Sequence, residues 1–172
     1  MNVSELKKKL KSKTQKELID DISTLYKSFD VVREYYQVRL FSNDESVLQK
    51  YKAIIEHEFF PVSESKDPPA RLSVARKAIT DYKKLTSSKA NIADIMVFYV
   101  ETGVRFTNEY GDINEAFYIS MENMYEKALT FIANNGLTDI FNERLLTIVN
   151  DTDGIGWGFH DQLADLYFSY IE

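Results

Sequence analysis

The sequence predicts an all-α protein, a single-domain multi-helix bundle or helical-hairpin array of eight or nine helices. Apolar side chains recur at steps of three and four residues along almost all of the 172 residues, and no stretch alternates apolar and polar residues as a half-buried strand would. Only 3 prolines and 6 glycines are present, too few for the frequent turns of a β-sandwich. These patterns specify a fold but no catalytic chemistry.

The first 60 residues, rich in lysine at their start, predict three helices. Ser4 is placed to cap a short helix that reaches Lys11, and Thr14 with Glu17 has the spacing of a capping box. We expect the helix after Thr14 to bend near residues 28–30 and the next one to stop at Pro61. The apolar positions of the long helix are Leu18, Ile22, Leu25, Phe29, Val32, Tyr36 and Leu40.

The main helical hairpins are predicted from residue 70 to the end of the chain. All three prolines fall in the loop 61–69, and Pro69 is expected in the first turn of the helix that follows it. Gly103 lies inside the next helix, which indicates close packing at that point, and Gly111 ends it. Three more helices complete the chain. No stretch between residues 1 and 172 marks a boundary between two cores, so we expect one domain.

Composition favours a cytoplasmic protein. There is no cysteine, which excludes disulfides, thiolate metal sites and thiol nucleophiles, and the start of the chain lacks the apolar run of a signal peptide. The longest apolar run, 95–100, is far shorter than a membrane helix, for which about 20 residues are needed, so we expect no membrane partner.

Charge is distributed unevenly along the chain, whose net charge is −6. Residues 1–89 hold 18 Lys and Arg against 13 Asp and Glu, whereas residues 90–172 hold 3 against 14. The two halves could attract each other within the fold, or a basic and an acidic patch could face different partners. An unevenly charged solvated surface is the simpler interpretation.

The lysine-rich start is similar to a SAP motif, a helical DNA-binding element. Its basic side chains would contact phosphate without reading sequence. The glycine-bearing linker of that motif is missing, and the rest of the chain is acidic, so we do not expect nucleic acid to be the main partner. The candidate phosphate-contacting residues are Lys7, Lys8, Lys9, Lys11 and Lys13.

The best candidate for a ligand site is the segment 151–165, which holds the one tryptophan and one of two histidines. His160 beside carboxylates could act as a base or a ligand. The alternative is structural, with glycines in a tight turn and Trp157 covering the end of the bundle. An EF-hand is excluded because its fifth and twelfth positions would be Ile155 and Gln162, so we predict no metal and no cofactor. The candidate ligand-binding residues are Trp157, His160, Asp161, Asp165, Asp153, Glu109 and Asp112.

Three stretches of sequence together suggest a family. They are Ala70–Ile79, Phe106–Tyr118 and Asp153–Leu163, and the last, with its Gly-Ile-Gly-Trp-Gly-Phe-His-Asp run, is the most specific. With the lysine-rich start, they resemble a family of small helical bacterial proteins, domain-of-unknown-function family 6155, over nearly the whole chain. The resemblance implies a bacterial, cytoplasmic, stand-alone protein and carries over no functional residue.

Two functions therefore stay open at this point. The first is a non-enzymatic helical interaction module that binds a protein partner or a second copy of itself, as the hairpin pattern, the split charge and the 13% aromatic content suggest. The second is an enzyme or a ligand-binding protein with its site around His160. It predicts that His160 and carboxylates from different helices converge in a pocket.

Overall fold

The computed structural model describes residues 2–61 and 68–171, and these form nine α-helices without a strand. The all-α prediction is thereby confirmed. Contacts along the chain separate two compact units, residues 1–44 and 45–172. The expectation of a single domain over residues 1–172, with basic helices in 1–60 and the main hairpins in 70–172, stays a prediction. The helices are α1 (Val3–Leu10), α2 (Gln15–Ser28), α3 (Asp30–Phe41), α4 (Asp44–Phe59), α5 (Leu72–Leu85), α6 (Lys89–Tyr110), α7 (Glu115–Asn134), α8 (Thr138–Asn150) and α9 (Phe159–Ile171).

Capping boxes start the first two helices, α1 and α2. Thr14 Oγ1 accepts a hydrogen bond from the Glu17 amide at 3.2 Å, and Glu17 Oε2 accepts one from the Thr14 amide at 2.7 Å, as its sequence predicts. The cap of α1 is Asn2 and not Ser4. Its Oδ1 accepts a hydrogen bond from the Glu5 amide at 3.0 Å, and Glu5 Oε2 accepts one from the Asn2 amide at 3.0 Å. The two bonds satisfy two otherwise free N–H groups.

The long helix expected after Thr14 is interrupted completely at one residue. Phe29 has extended backbone angles, φ −130° and ψ 119°, and it lies between the last residue of α2 and the first of α3. The rings of Tyr26 and Tyr36 are 6.5 Å apart across this corner. The expected bend is therefore a break, and Asp30 accepts a hydrogen bond from Arg33 in the first turn of α3.

The C-terminal unit is built around α6 and α7, which pack against each other. The helices α5 and α8 pack against α6, and α8 and α9 pack against α7. The close packing expected at Gly103 is confirmed, because a Cβ atom there would collide with the thioether of Met121. Aromatic rings continue this core toward α4, where the rings of Phe59 and Phe106 are 5.5 Å apart and those of Phe59 and Phe117 6.4 Å.

The start of α5 differs from its sequence prediction. Pro69 lies outside the helix, which begins at Leu72. Between them, Ala70 adopts a left-handed conformation with φ 46° and donates its amide to the Glu58 carbonyl at 2.7 Å. This bond joins the start of α5 to the end of α4.

A polar network crosses the C-terminal unit beside the core. Arg144 of α8 donates to Asp94 at 2.7 Å and to both oxygens of Glu101 at 2.8 Å, and both carboxylates belong to α6. Lys52 of α4 completes the network with a 2.6 Å bond to the second oxygen of Asp94. Three helices are thus connected by one partly buried group of charges.

None of the helices within residues 2–61 and 68–171 has both the length and the apolar character that crossing a membrane requires.

Candidate functional site

His160 hydrogen-bonds to the end of the preceding helix. Its Nδ1 lies 3.0 Å from Thr152 Oγ1 and 3.2 Å from the Val149 carbonyl oxygen. The buried Thr152 hydroxyl donates its hydrogen to that same carbonyl at 2.6 Å. Because the Thr152 hydroxyl already donates its hydrogen to the carbonyl, the imidazole Nδ1 must act as a donor to the hydroxyl and carbonyl oxygens. The ring therefore links the turn 151–158 to the end of α8 by hydrogen bonds.

Trp157 is the most unusual residue of this turn. It combines a left-handed backbone, φ 66°, with a side chain that is 62% exposed. Its ring stacks on Tyr118 of α7 at 6.2 Å between centroids, and the buried ring of Phe159 approaches Tyr118 to 4.9 Å. A left-handed conformation is costly for a bulky residue, so the surrounding contacts must hold it there.

Tyr118 brings together two of the sequence candidates, Trp157 and Asp112, although it was not itself a candidate. Its hydroxyl is 2.8 Å from Thr107 Oγ1 and 3.4 Å from Asp112 Oδ1. One feature of the sequence could have identified Tyr118: it lies one turn after Asn114, which caps α7. The contact with Trp157 depends on a turn more than thirty residues away.

The other candidate carboxylates are placed without a common centre. In the part of the chain that the structure describes, the hydrogen bonds of the His160 ring go to Thr152 and Val149 and to no carboxylate. No group of three or more His, Asp or Glu side chains in that part is arranged to hold a metal ion. A ligand site around His160 stays a prediction. The remaining candidates are exposed side chains on the surface: Glu109, Asp153, Asp161 and Asp165.

The N-terminal lysines lie on or just after α1. All five candidates are exposed, and Lys13 forms an ion pair with Asp21 of α2. Nucleic-acid binding through these side chains stays a prediction, whose signature would be a steep loss of affinity with added salt.

An apolar surface in the N-terminal unit is the second structural candidate. The spacing of Ile22, Leu25 and Phe29 predicts an inward face for α2, yet α2 has no buried residue. Ile19, Ile22 and Leu25 on α2, and Phe29 directly after it, have exposed fractions between 41% and 55%. We call these four residues the N-terminal apolar face. An exposed apolar patch on a protein marks an interaction surface more often than a solitary exposed side chain does.

Comparisons with known proteins give one match. Searches of curated proteins and of solved structures found nothing similar to the chain. A family model described as "Family of unknown function (DUF6155)" matches residues 1–170. The match confirms the resemblance drawn from residues 70–79, 106–118 and 153–163 together with the lysine-rich start. Since it spans nearly the entire sequence, the chain belongs to the DUF6155 family.

Proposed function

We propose that this protein is a non-enzymatic helical interaction module that pairs with a second copy of itself through the N-terminal apolar face. The observation that carries the proposal is the exposure of three large apolar side chains on one side of α2, Ile19, Ile22 and Leu25, and of Phe29 directly after the helix. Each square ångström of apolar surface removed from water contributes roughly 25 cal/mol, so covering this face is favourable.

The geometry of α2 supports a helix as the partner. Steps of three residues keep Ile19, Ile22 and Leu25 on one side of α2. Asp20, Thr24 and Lys27 lie on the opposite side. With 14 residues, α2 is near the length at which an isolated helix is only marginally stable in water, about 12–15 residues. Packing of its apolar face against another helix would stabilise it.

Spacing favours a second copy over an unrelated helix. Leu18, Ile22, Leu25 and Phe29 follow the alternating four- and three-residue steps of paired helices. An antiparallel copy centred between Ile22 and Leu25 would place Ile22 of one α2 against Leu25 of the other. Such an interface is self-complementary, as twofold symmetry requires.

Sedimentation velocity on the full chain tests the proposal with two variants that add the same charge. Leu25→Lys places an ammonium group in the apolar face, and Thr24→Lys places one on the opposite side. We expect dimers for the unmodified chain and for T24K at about 100 μM, and monomers for L25K. Circular dichroism checks that both variants keep their helix content.

Two results would overturn self-association. One is an unmodified chain that stays monomeric at that concentration, which would leave the face to another protein. The other is a dimer that L25K and T24K weaken equally, which would assign the effect to charge and not to the apolar face.

A ligand site beside Trp157, including an enzymatic one, is the second candidate. Its supporting observation is the exposed indole of Trp157 in a left-handed conformation above Tyr118, with Asp112 beside the Tyr118 hydroxyl. Thermal unfolding with divalent metals and nucleotides tests it, since a ligand that binds only the native state raises the Tm. A rise that Trp157→Ala abolishes would support this site, and no rise with any compound would remove it.

A further inference from the structure

We propose that the cleft between α5 and α7 binds a small organic phosphate, in which a phosphate group is joined to an apolar or aromatic group. The cleft consists of two adjoining cavities of about 490 and 460 Å³ that share Arg76, Met124 and Lys127. It lies entirely within the C-terminal unit and involves no residue of the N-terminal apolar face, so it does not depend on self-association.

Four basic side chains surround the cleft without a carboxylate among its lining residues. Arg76 and Lys127 line both cavities, Lys83 lines the larger one, and Lys89 lies against Phe131 at its edge. Among residues 2–61 and 68–171, none of the four forms an ion pair. A concentration of positive charge in a concave surface attracts an anion.

The four basic residues of the cleft differ from their neighbours, which form ion pairs. Lys77 and Lys84, which directly follow Arg76 and Lys83 in α5 but do not line the cleft, both pair with Asp81. Beyond residue 90 the chain has three basic residues, and two of them, Arg105 and Arg144, are ion-paired. Lys127 is the third, and it faces the cleft in a part of the sequence that is otherwise strongly acidic.

Arg76 is held in place by buried hydroxyl groups. Its Nη1 donates to Ser120 Oγ at 2.6 Å, and Ser120 Oγ lies 2.8 Å from the hydroxyl of Tyr99, which is fully buried. Burial raises the pKa of the Tyr99 hydroxyl, so it stays neutral. The guanidinium has four further N–H donors, and its fork matches the geometry of phosphate oxygens.

Phe131 explains why the ligand should carry more than a phosphate group. The ammonium groups of Lys83 and Lys89 lie 5.7 and 5.6 Å from the centroid of its ring. The same cavity is lined by apolar side chains of Ile79, Met96 and Met124. A pocket with cations on one side and apolar walls on the other fits an anionic head joined to an apolar group.

Isothermal titration calorimetry on the full chain tests the proposal. The salt concentration is kept at about 50 mM, because the Debye length falls to about 10 Å at about 0.1 M and added salt therefore weakens the attraction between charges. The probes are phenyl phosphate and AMP, with phenol, adenosine and inorganic phosphate as partial ligands. We expect phenyl phosphate or AMP to bind more tightly than inorganic phosphate, and no binding of the two uncharged compounds.

Two adjacent lysines provide the matched control. Lys83→Gln and Lys127→Gln each remove one cation from the cleft and should weaken binding about tenfold, since a hydrogen bond to a charged group is lost. Lys84→Gln removes the same charge from the next position of α5, which does not line the cleft, and should change affinity less than about twofold.

Three outcomes would overturn the proposal. The first is that neither phenyl phosphate nor AMP binds at millimolar concentration. The second is that K84Q weakens binding as much as K83Q, which would indicate attraction by the overall charge. The third is that only a single-stranded oligonucleotide binds, which would indicate a nucleic-acid surface in place of a small-molecule cleft.

Discussion

Arg71 forms a two-point ion pair with the buried carboxylate of Glu58, with 2.7 Å between Nη2 and Oε1 and 2.9 Å between Nε and Oε2. The Arg71 amide adds a third hydrogen bond to Oε2 at 3.1 Å. The Arg71 side chain is the main reason that the pKa of Glu58 lies below its usual value. The pair fixes the residue before α5 to the end of α4.

Glu58→Gln should lower the Tm by roughly 3 °C at pH 7, since a hydrogen-bonded charge pair is lost. The pKa of Glu58 is lower in the folded than in the unfolded chain. Its stabilising effect is therefore present above the unfolded pKa, 4.5, and is lost as pH falls through the folded value. Thermal melts from pH 7 to about pH 3 should show the difference between wild type and E58Q shrinking on the acidic side. The exposed Glu126→Gln is the control, and a difference for E58Q that stays constant with pH would contradict this account.

Arg144→Gln should destabilise the chain by about 1–2 kcal/mol. The substitution leaves Asp94 and Glu101 with fewer compensating charges in a partly buried position, and the partial exposure of Arg144 moderates the cost. Arg33→Gln is the matched control, because Arg33 pairs with Asp30 on an exposed helix surface and should contribute less than about 0.5 kcal/mol. Urea unfolding followed by circular dichroism measures both, and equal effects would contradict a structural role for the network.

Gly103→Ala should cost about 1 kcal/mol or more, although alanine is the better helix former. The added methyl group collides with Met121, which is fully buried. Shortening that side chain by Met121→Ala should reduce the cost of the Gly103 substitution, and a double-mutant cycle measures the coupling. Independent, additive effects of the two substitutions would show that the contact is not tight.

His160→Ala should destabilise the chain by about 1 kcal/mol through loss of its hydrogen bond to Thr152. Asn can place an amide N–H near the position of Nδ1, so His160→Asn should recover part of the loss. Chemical denaturation of the three proteins provides the comparison. Equal stability of H160A and wild type would mean that the ring does not fasten the turn, and would strengthen the case for a functional imidazole.

Helix identity could be predicted from sequence because it depends on local spacing and caps. Thr14 and Glu17 are three residues apart and need no tertiary contact to form their box. The position of the break at Phe29 is predicted from sequence as a bend near residues 28–30. Its completeness could not be predicted, since no proline or glycine marks it and the apolar spacing continues through it. The left-handed Ala70 likewise has no local signal, because such a conformation is normally assigned to glycine.

The candidate sites depend on packing between helices, which spacing alone does not give. The partner of His160 is the hydroxyl of Thr152, whereas the sequence draws attention to neighbouring carboxylates. The cleft at Arg76 and Lys127 needs α5 and α7 side by side, and these residues are more than fifty positions apart. A lysine on a helix surface looks the same in sequence whether or not a second helix brings another cation beside it.

Sedimentation equilibrium of the unmodified full chain over a range of concentrations tests the central claim most directly. Pairing through Ile19, Ile22, Leu25 and Phe29 predicts that the mass rises with concentration toward twice the 20.0 kDa of a single chain. A mass that stays at 20.0 kDa throughout would contradict it.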